Sequence, residues 1–272
     1  DIIEINPPLA FYVTVPPILA SQWLGIGSAS TFLIYVTILL FVSLVWSGRI
    51  IAASEGLTRV ERNAIFAGAI ISLTVLPTPF VGQREHLMLI FSLPYFLALC
   101  LDPGRQTRKH PEALVLGAFA FFGLAMKPYF LFAPMLVSLM SSFQKRNWKI
   151  IFCIENITIS IFFGVYLIII FFLHEEYIKI IIPIAHKVYY SYGDISISVI
   201  INLNFLLFIL VFYLGSLQGG CWRQSYAIRF AIVAAGFCGA YLIQFKGWTY
   251  HAYPMSVFLL FTLISIIIQD FI

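Results

Sequence analysis

Nine apolar stretches follow one another along this chain, at 30–47, 64–80, 86–101, 113–127, 128–143, 150–173, 198–217, 229–244 and 254–271, with short polar connections between them. A membrane-spanning helix needs about 20 mostly apolar residues, and fewer where flanking side chains reach back to the interface. In lipid every backbone N–H and C=O must be satisfied within the protein, so segments of this kind fold as helices. Only 10% of the 272 residues are charged and 61% are hydrophobic. Soluble domains carry roughly a quarter charged residues, and a single soluble core stops growing near this length. The expectation is therefore an all-α, polytopic transmembrane bundle of about nine spans plus one interfacial helix, forming a single membrane domain over residues 1–272. Residues 30–271 make the bundle and 1–29 precede it.

Two places leave a choice. Residues 9–26 are apolar, but Pro16 and Pro17 remove two backbone donors and crowd the preceding turn. An interfacial helix with a break, ending near Trp23, is the preferred reading, and a tenth span is the alternative. Residues 113–143 as one helix would be about 47 Å long, against a hydrocarbon core of about 30 Å. The Lys127-Pro128 step favours a hairpin of two short helices.

The basic residues orient the bundle. One set of connections holds Arg49, Arg59, Arg62, Arg105, Arg108, Lys109, Lys145, Arg146, Lys149, Arg223 and Arg229, which is 11 of the 16; the other holds Arg84, Lys127, Lys179, Lys187 and Lys246. The positive-inside rule makes the richer side cytoplasmic. The cations are scattered among short loops, so the net charge of +4 is no nucleic-acid signature. Cys100, Cys153, Cys221 and Cys238 lie in or beside apolar runs without metal-ligand spacing and read as inert.

The cytoplasmic connections are chemically bland and serve topology. The opposite face gathers Asp1, Glu4 and Asn6, then Gln83, Arg84, Glu85 and His86, then Lys127, and finally Lys246, Trp248, Tyr250 and His251. Four of the five histidines, at 86, 174, 186 and 251, are on this side. Each residue alone also fits snorkelling or capping, but charges at membrane helix ends are costly and mark substrate or ion paths. Such a set suits transfer at an anionic leaving group. A carboxylate serves as general base, cations hold phosphate oxygens, and aromatic rings stack on a sugar. Glu155 and Asn156 stand apart in CIENITIS, as a structural polar pair or an ion site.

The segment Glu4, Asn6, Pro7, Pro8, Leu9 resembles the GT-C membrane glycosyltransferases, in particular the branch of protein O-mannosyltransferases and lipid A aminoarabinose transferases. That family carries an acidic residue shortly before a His/Asn-Pro-Pro-Leu segment, which closes the first large extracytoplasmic loop and opens an interfacial helix. The stretch Gly123, Lys127, Pro128 is similar to its Gly-rich helix ending in Lys. The resemblance spans the whole topology but rests on about 30 residues of motif.

It implies transfer of a sugar from a polyprenyl-phosphate donor to a lipid, glycan or protein acceptor on the extracytoplasmic side of a bacterial inner membrane. It also implies that Asp1 or Glu4 is the base or its neighbour, with Asn6, Gln83, Arg84, Glu85, His86, Lys127, Lys246, Trp248, Tyr250 and His251 binding substrate. The chain opens with Asp in a polar loop, so a preceding piece with a first span and the family's usual catalytic Asp is expected. A divalent metal is compatible with acids and histidines on one face, but no motif has ligand spacing and no metal ligand is assigned. The rival readings are an O-antigen polymerase or ligase, and a secondary transporter dependent on Glu155.

Overall fold

A computed structural model describes residues 6–103, 110–191, 199, 201–217 and 225–271. The described chain is helical throughout, and no strand occurs among those residues. The helices are α1 (Leu9–Tyr12), α2 (Val15–Leu24), α3 (Ser28–Ala53), α4 (Arg59–Thr74), α5 (Arg84–Leu101), α6 (His110–Leu124), α7 (Phe132–Lys145), α8 (Ile154–Leu173), α9 (Ile182–Ser191), α10 (Leu203–Leu217), α11 (Ser225–Gln244) and α12 (Thr249–Phe271).

Six helical segments are long and apolar enough to cross a membrane: Ser28–Ala53, Arg59–Phe80, Arg84–Leu101, Ile154–Leu173, Tyr226–Gln244 and Thr249–Ile268. The stretches expected at 113–127, 128–143 and 198–217 fold as α6, α7 and α10, of 15, 14 and 15 residues. At 1.5 Å per residue each reaches only about 21–23 Å, short of a full hydrocarbon core.

α5 is the axis of the bundle. Every residue from Glu85 to Cys100 is buried, because α3, α4, α6, α7, α11 and α12 all pack against it. Pro94 and Pro254 sit inside α5 and α12 without ending them, which neighbouring helices make tolerable in a membrane bundle. Glycines let the helices approach. A methyl group on Gly123 would meet the Met88 carbonyl oxygen at 2.5 Å, and one on Gly236 would meet Ala133 Cα at 2.5 Å. Small residues at such crossings are the usual basis of helix packing in lipid.

The polar ends of the helices sort into two faces. On one, Tyr253 Oη donates to the Ser72 carbonyl oxygen at 2.7 Å, joining α12 to α4. On the other, Tyr226 Oη donates to the buried Glu61 carboxylate, which also closes the capping box of α4 with Thr58. There too the buried Arg229 donates to the Cys100 carbonyl oxygen at 2.5 Å and to Gln144 at 3.2 Å.

Three local expectations change. Pro16 and Pro17 do not break a helix; they lie in the first turn of α2, where a missing N–H is harmless, and the break falls before them at Val13–Thr14. The chain does part at Lys127-Pro128, through the Pro128–Leu131 3-10 turn, but α6 and α7 do not form a mutually packed hairpin. α6 lies on α5 and α8, whereas α7 lies on α11. The region read as a loop at 174–197 is helical in its described part, with a π-helical turn at Tyr177–Ile181 running into α9.

Candidate functional site

Most polar residues of the chemically rich face, Arg84, Glu85, Tyr250 and His251 among them, were expected in connections flanking the apolar runs, with His86 and Lys127 at the ends of runs. Several instead occupy first helical turns. α5 begins at Arg84, so Arg84, Glu85 and His86 are inside it, and α12 begins at Thr249, so Tyr250 and His251 are inside that helix. Gly82 at φ 77° turns the chain into α5, a left-handed conformation that glycine adopts without strain.

His86 fixes this corner. Its Nδ1 accepts from the Gly82 N–H at 3.0 Å, which leaves the proton on Nε2 for donation to the Leu73 carbonyl oxygen, also at 3.0 Å. Both ring nitrogens are thereby taken by backbone. His86 holds the end of α4 against the start of α5.

Next to it lies a cluster drawn from four parts of the chain. Lys127, at the α6–α7 break, forms an ion pair with Glu85, and both side chains are buried, at 3% and 0% exposure. The Lys127 ammonium also donates to Gln244 Oε1 at 2.9 Å, at the end of α11. His251 Nε2 stands 3.7 Å from Glu85 Oε1, beyond hydrogen-bond reach. Lys246 is buried and places its ammonium 4.7 Å from the Trp248 ring centroid. Trp248 and Tyr250 lie 5.2 and 4.3 Å from the His251 ring, centroid to centroid. Gly247, Trp248, Thr249 and Tyr250 line an open cavity of about 480 Å³ beside the cluster.

Among the described residues, cations outnumber carboxylates here. Arg84, Lys127 and Lys246 all act electrostatically on His251, with Glu85 the carboxylate among them. Burial pushes the Lys127 ammonium below the usual lysine range; Glu85 opposes that, while Arg84 and Lys246 add to it. Burial likewise lowers Lys246. Three buried polar atoms of the cluster have no hydrogen-bond partner: Arg84 Nη1, Glu85 Oε2 and His251 Nδ1. Buried polar atoms are almost always satisfied, so three orphans together are a feature to explain.

The remaining sequence candidates fall elsewhere. Asp1 and Glu4 lie outside the described residues. Gln83 is exposed at the N-cap of α5 and makes no side-chain cap bond. Asn6 lines a cavity of about 290 Å³ with Pro8, Phe11, Tyr12, His174 and Tyr177, which shares no residue with the Glu85 cluster. Among the described residues no group of three or more His, Cys, Asp or Glu side chains gathers as metal ligands. Asn156 takes the structural role: it accepts from Tyr95 Oη at 2.6 Å and donates to Ser138 Oγ at 3.0 Å.

Gln244 was missed. Its one sequence signal is a neutral polar residue closing the apolar run of α11, which reads as an ordinary helix end until Lys127 is placed against it. No protein-family model, curated protein or solved structure matches the chain.

Proposed function

We propose that this protein is a membrane glycosyltransferase of the GT-C type, moving a sugar from a polyprenyl-phosphate donor to an acceptor at the face that carries Glu85. The supporting observation is the largely buried cluster in which, among the described residues, the half-buried Arg84 and the buried Lys127 and Lys246 stand around one carboxylate, Glu85. A phosphate is the ligand chemistry that an excess of guanidinium and ammonium groups in a water-poor site favours. In this reading α3 to α8 and α10 to α12 supply the nine spans, the shorter ones crossing beside longer neighbours. The Glu85 face is extracytoplasmic in a bacterial inner membrane, in keeping with the basic residues opposite.

The reaction transfers the sugar carbon between two oxygens. The acceptor O–H gives its proton to a carboxylate, for which the resemblance names Asp1 or Glu4. The acceptor oxygen bonds to the anomeric carbon, and the bond from that carbon to the phosphate oxygen breaks. Polyprenyl phosphate leaves with one more negative charge, which Arg84, Lys127 and Lys246 neutralise. Trp248, at 44% exposure beside the cavity, offers a face for the sugar ring.

The test is turnover of radiolabelled polyprenyl-phosphate sugars by the protein in membranes, with Arg84→Ala and Lys127→Met alongside. Label moved from lipid to acceptor, and lost in both variants, supports the reading. Unchanged transfer in both variants, or no turnover of any donor by folded protein, counts against it.

A further inference from the structure

The orphaned atoms of the cluster do not call for a bare anion. Arg84 Nη1 is a donor and needs an acceptor oxygen, which a phosphate supplies. Glu85 Oε2 is an acceptor on a fully buried carboxylate, and it would repel a phosphate oxygen brought against it. Its partner atom Oε1 is already engaged by Lys127, so the orphaned oxygen needs a second donor. His251, at 3% exposure with Nδ1 unpartnered, brings its Nε2 to 3.7 Å from Oε1, too far to satisfy the carboxylate. A ligand that satisfies Arg84 and Glu85 together carries an anionic oxygen and, nearby, an O–H. A phosphodiester of a sugar has both on adjoining groups, and its phosphate retains no proton of its own to donate.

We infer that Glu85 is the specificity-determining residue for the sugar: its Oε1 holds Lys127 for the phosphate while its Oε2 accepts a hydroxyl of the same donor. This rests on the reading above that the site binds a polyprenyl-phosphate sugar, and it adds that the ion pair reads both halves of that molecule. An unpaired buried carboxylate oxygen discriminates strongly, because a ligand without the hydroxyl leaves it unsatisfied. Lys127 is common to ligands with and without a sugar, so it does not contribute to that discrimination.

Two probes separate the contributions: prenyl phosphoglucose, and the methyl diester of the same prenyl phosphate, which has equal charge and no sugar hydroxyl. Their Kd values are measured on wild-type protein in nanodiscs, on Glu85→Gln, and on the double variant Glu85→Gln/Lys127→Met, which removes both buried charges and guards against misfolding of the single variant. The expected wild-type preference for the glucose diester is about tenfold or more, as a hydrogen bond to a charged group allows. That preference falls to about threefold or less in each folded variant, although the double variant binds both probes more weakly. Equal binding of the two probes by wild type overturns the inference while leaving a phosphate site in place. A preference that persists in the variants also overturns it. Binding of neither probe by wild type overturns the underlying reading of the site, and the inference with it.

Discussion

Glu85 and Lys127 stand 42 residues apart in the chain and meet as an ion pair withdrawn from solvent, one on the first turn of α5 and the other at the break between α6 and α7. Removing one partner of a buried pair strands the other, whereas removing both leaves only the loss of the bond. Glu85→Gln and Lys127→Met are therefore each expected to destabilise the protein by about 3–5 kcal/mol. The double variant is expected to lose much less than the two losses added. Heat- or SDS-induced unfolding of the four proteins in detergent, read as a double-mutant cycle, checks this.

His86→Phe preserves volume but leaves the Gly82 N–H and the Leu73 carbonyl without their partner. Each orphaned group is worth about 1–3 kcal/mol. The expected outcome is a lower unfolding midpoint with affinity for a prenyl phosphate changed less than by Lys127→Met. A loss of affinity as large as that of Lys127→Met, at unchanged stability, would return His86 to the ligand-binding set.

Gly123→Ala and Gly236→Ala drive a methyl group into backbone atoms of the facing helix, which cannot swing away. Each is expected to destabilise by about 1–3 kcal/mol, as overpacking does. Gly164→Ala on α8 meets nothing within 4 Å, so it is expected to be neutral or to gain up to about 1 kcal/mol from helix propensity. Unfolding midpoints of the three variants decide the matter.

Affinity for a prenyl phosphate is expected to weaken with rising pH, and to begin doing so below the ordinary lysine range. Burial lowers the Lys127 pKa, so the ammonium that attracts the phosphate is lost earlier than that of a free lysine. Lys127→Arg keeps its charge throughout, and its pH profile is expected to be shallower. Kd measured from neutral to alkaline pH on both proteins gives the comparison; parallel profiles would exclude Lys127 as the titrating group.

The all-helical class and most helix positions were legible because the sequence follows a simple pattern: long apolar runs, six of them in helices long enough to cross a membrane, with polar breaks such as Lys127-Pro128. The composition of the site face was legible for the same reason, since Arg84, Glu85, Lys127, Lys246 and His251 all interrupt or flank those runs. Their arrangement was not. Hydropathy places Glu85 and His251 in connections, yet both lie buried inside the first turns of helices, with Glu85 paired to Lys127. Equally hidden was His86, whose ring is spent on two backbone groups. Residue type advertises a ligand, and only the fold reveals that the nitrogens are already in use. Gln244 was obscured by the opposite effect, an unremarkable residue made important by the cation that packs on it.

Because α6 leaves Lys127 toward α5 and α8 while α7 packs chiefly on α11, this lysine sits where the chain passes from one set of neighbours to another. Its ammonium is tethered to both, through Glu85 on α5 and Gln244 on α11. Any sliding of α5 past α11 must stretch one of those tethers, so the buried ammonium fixes the register of the two helices as well as pairing with the carboxylate.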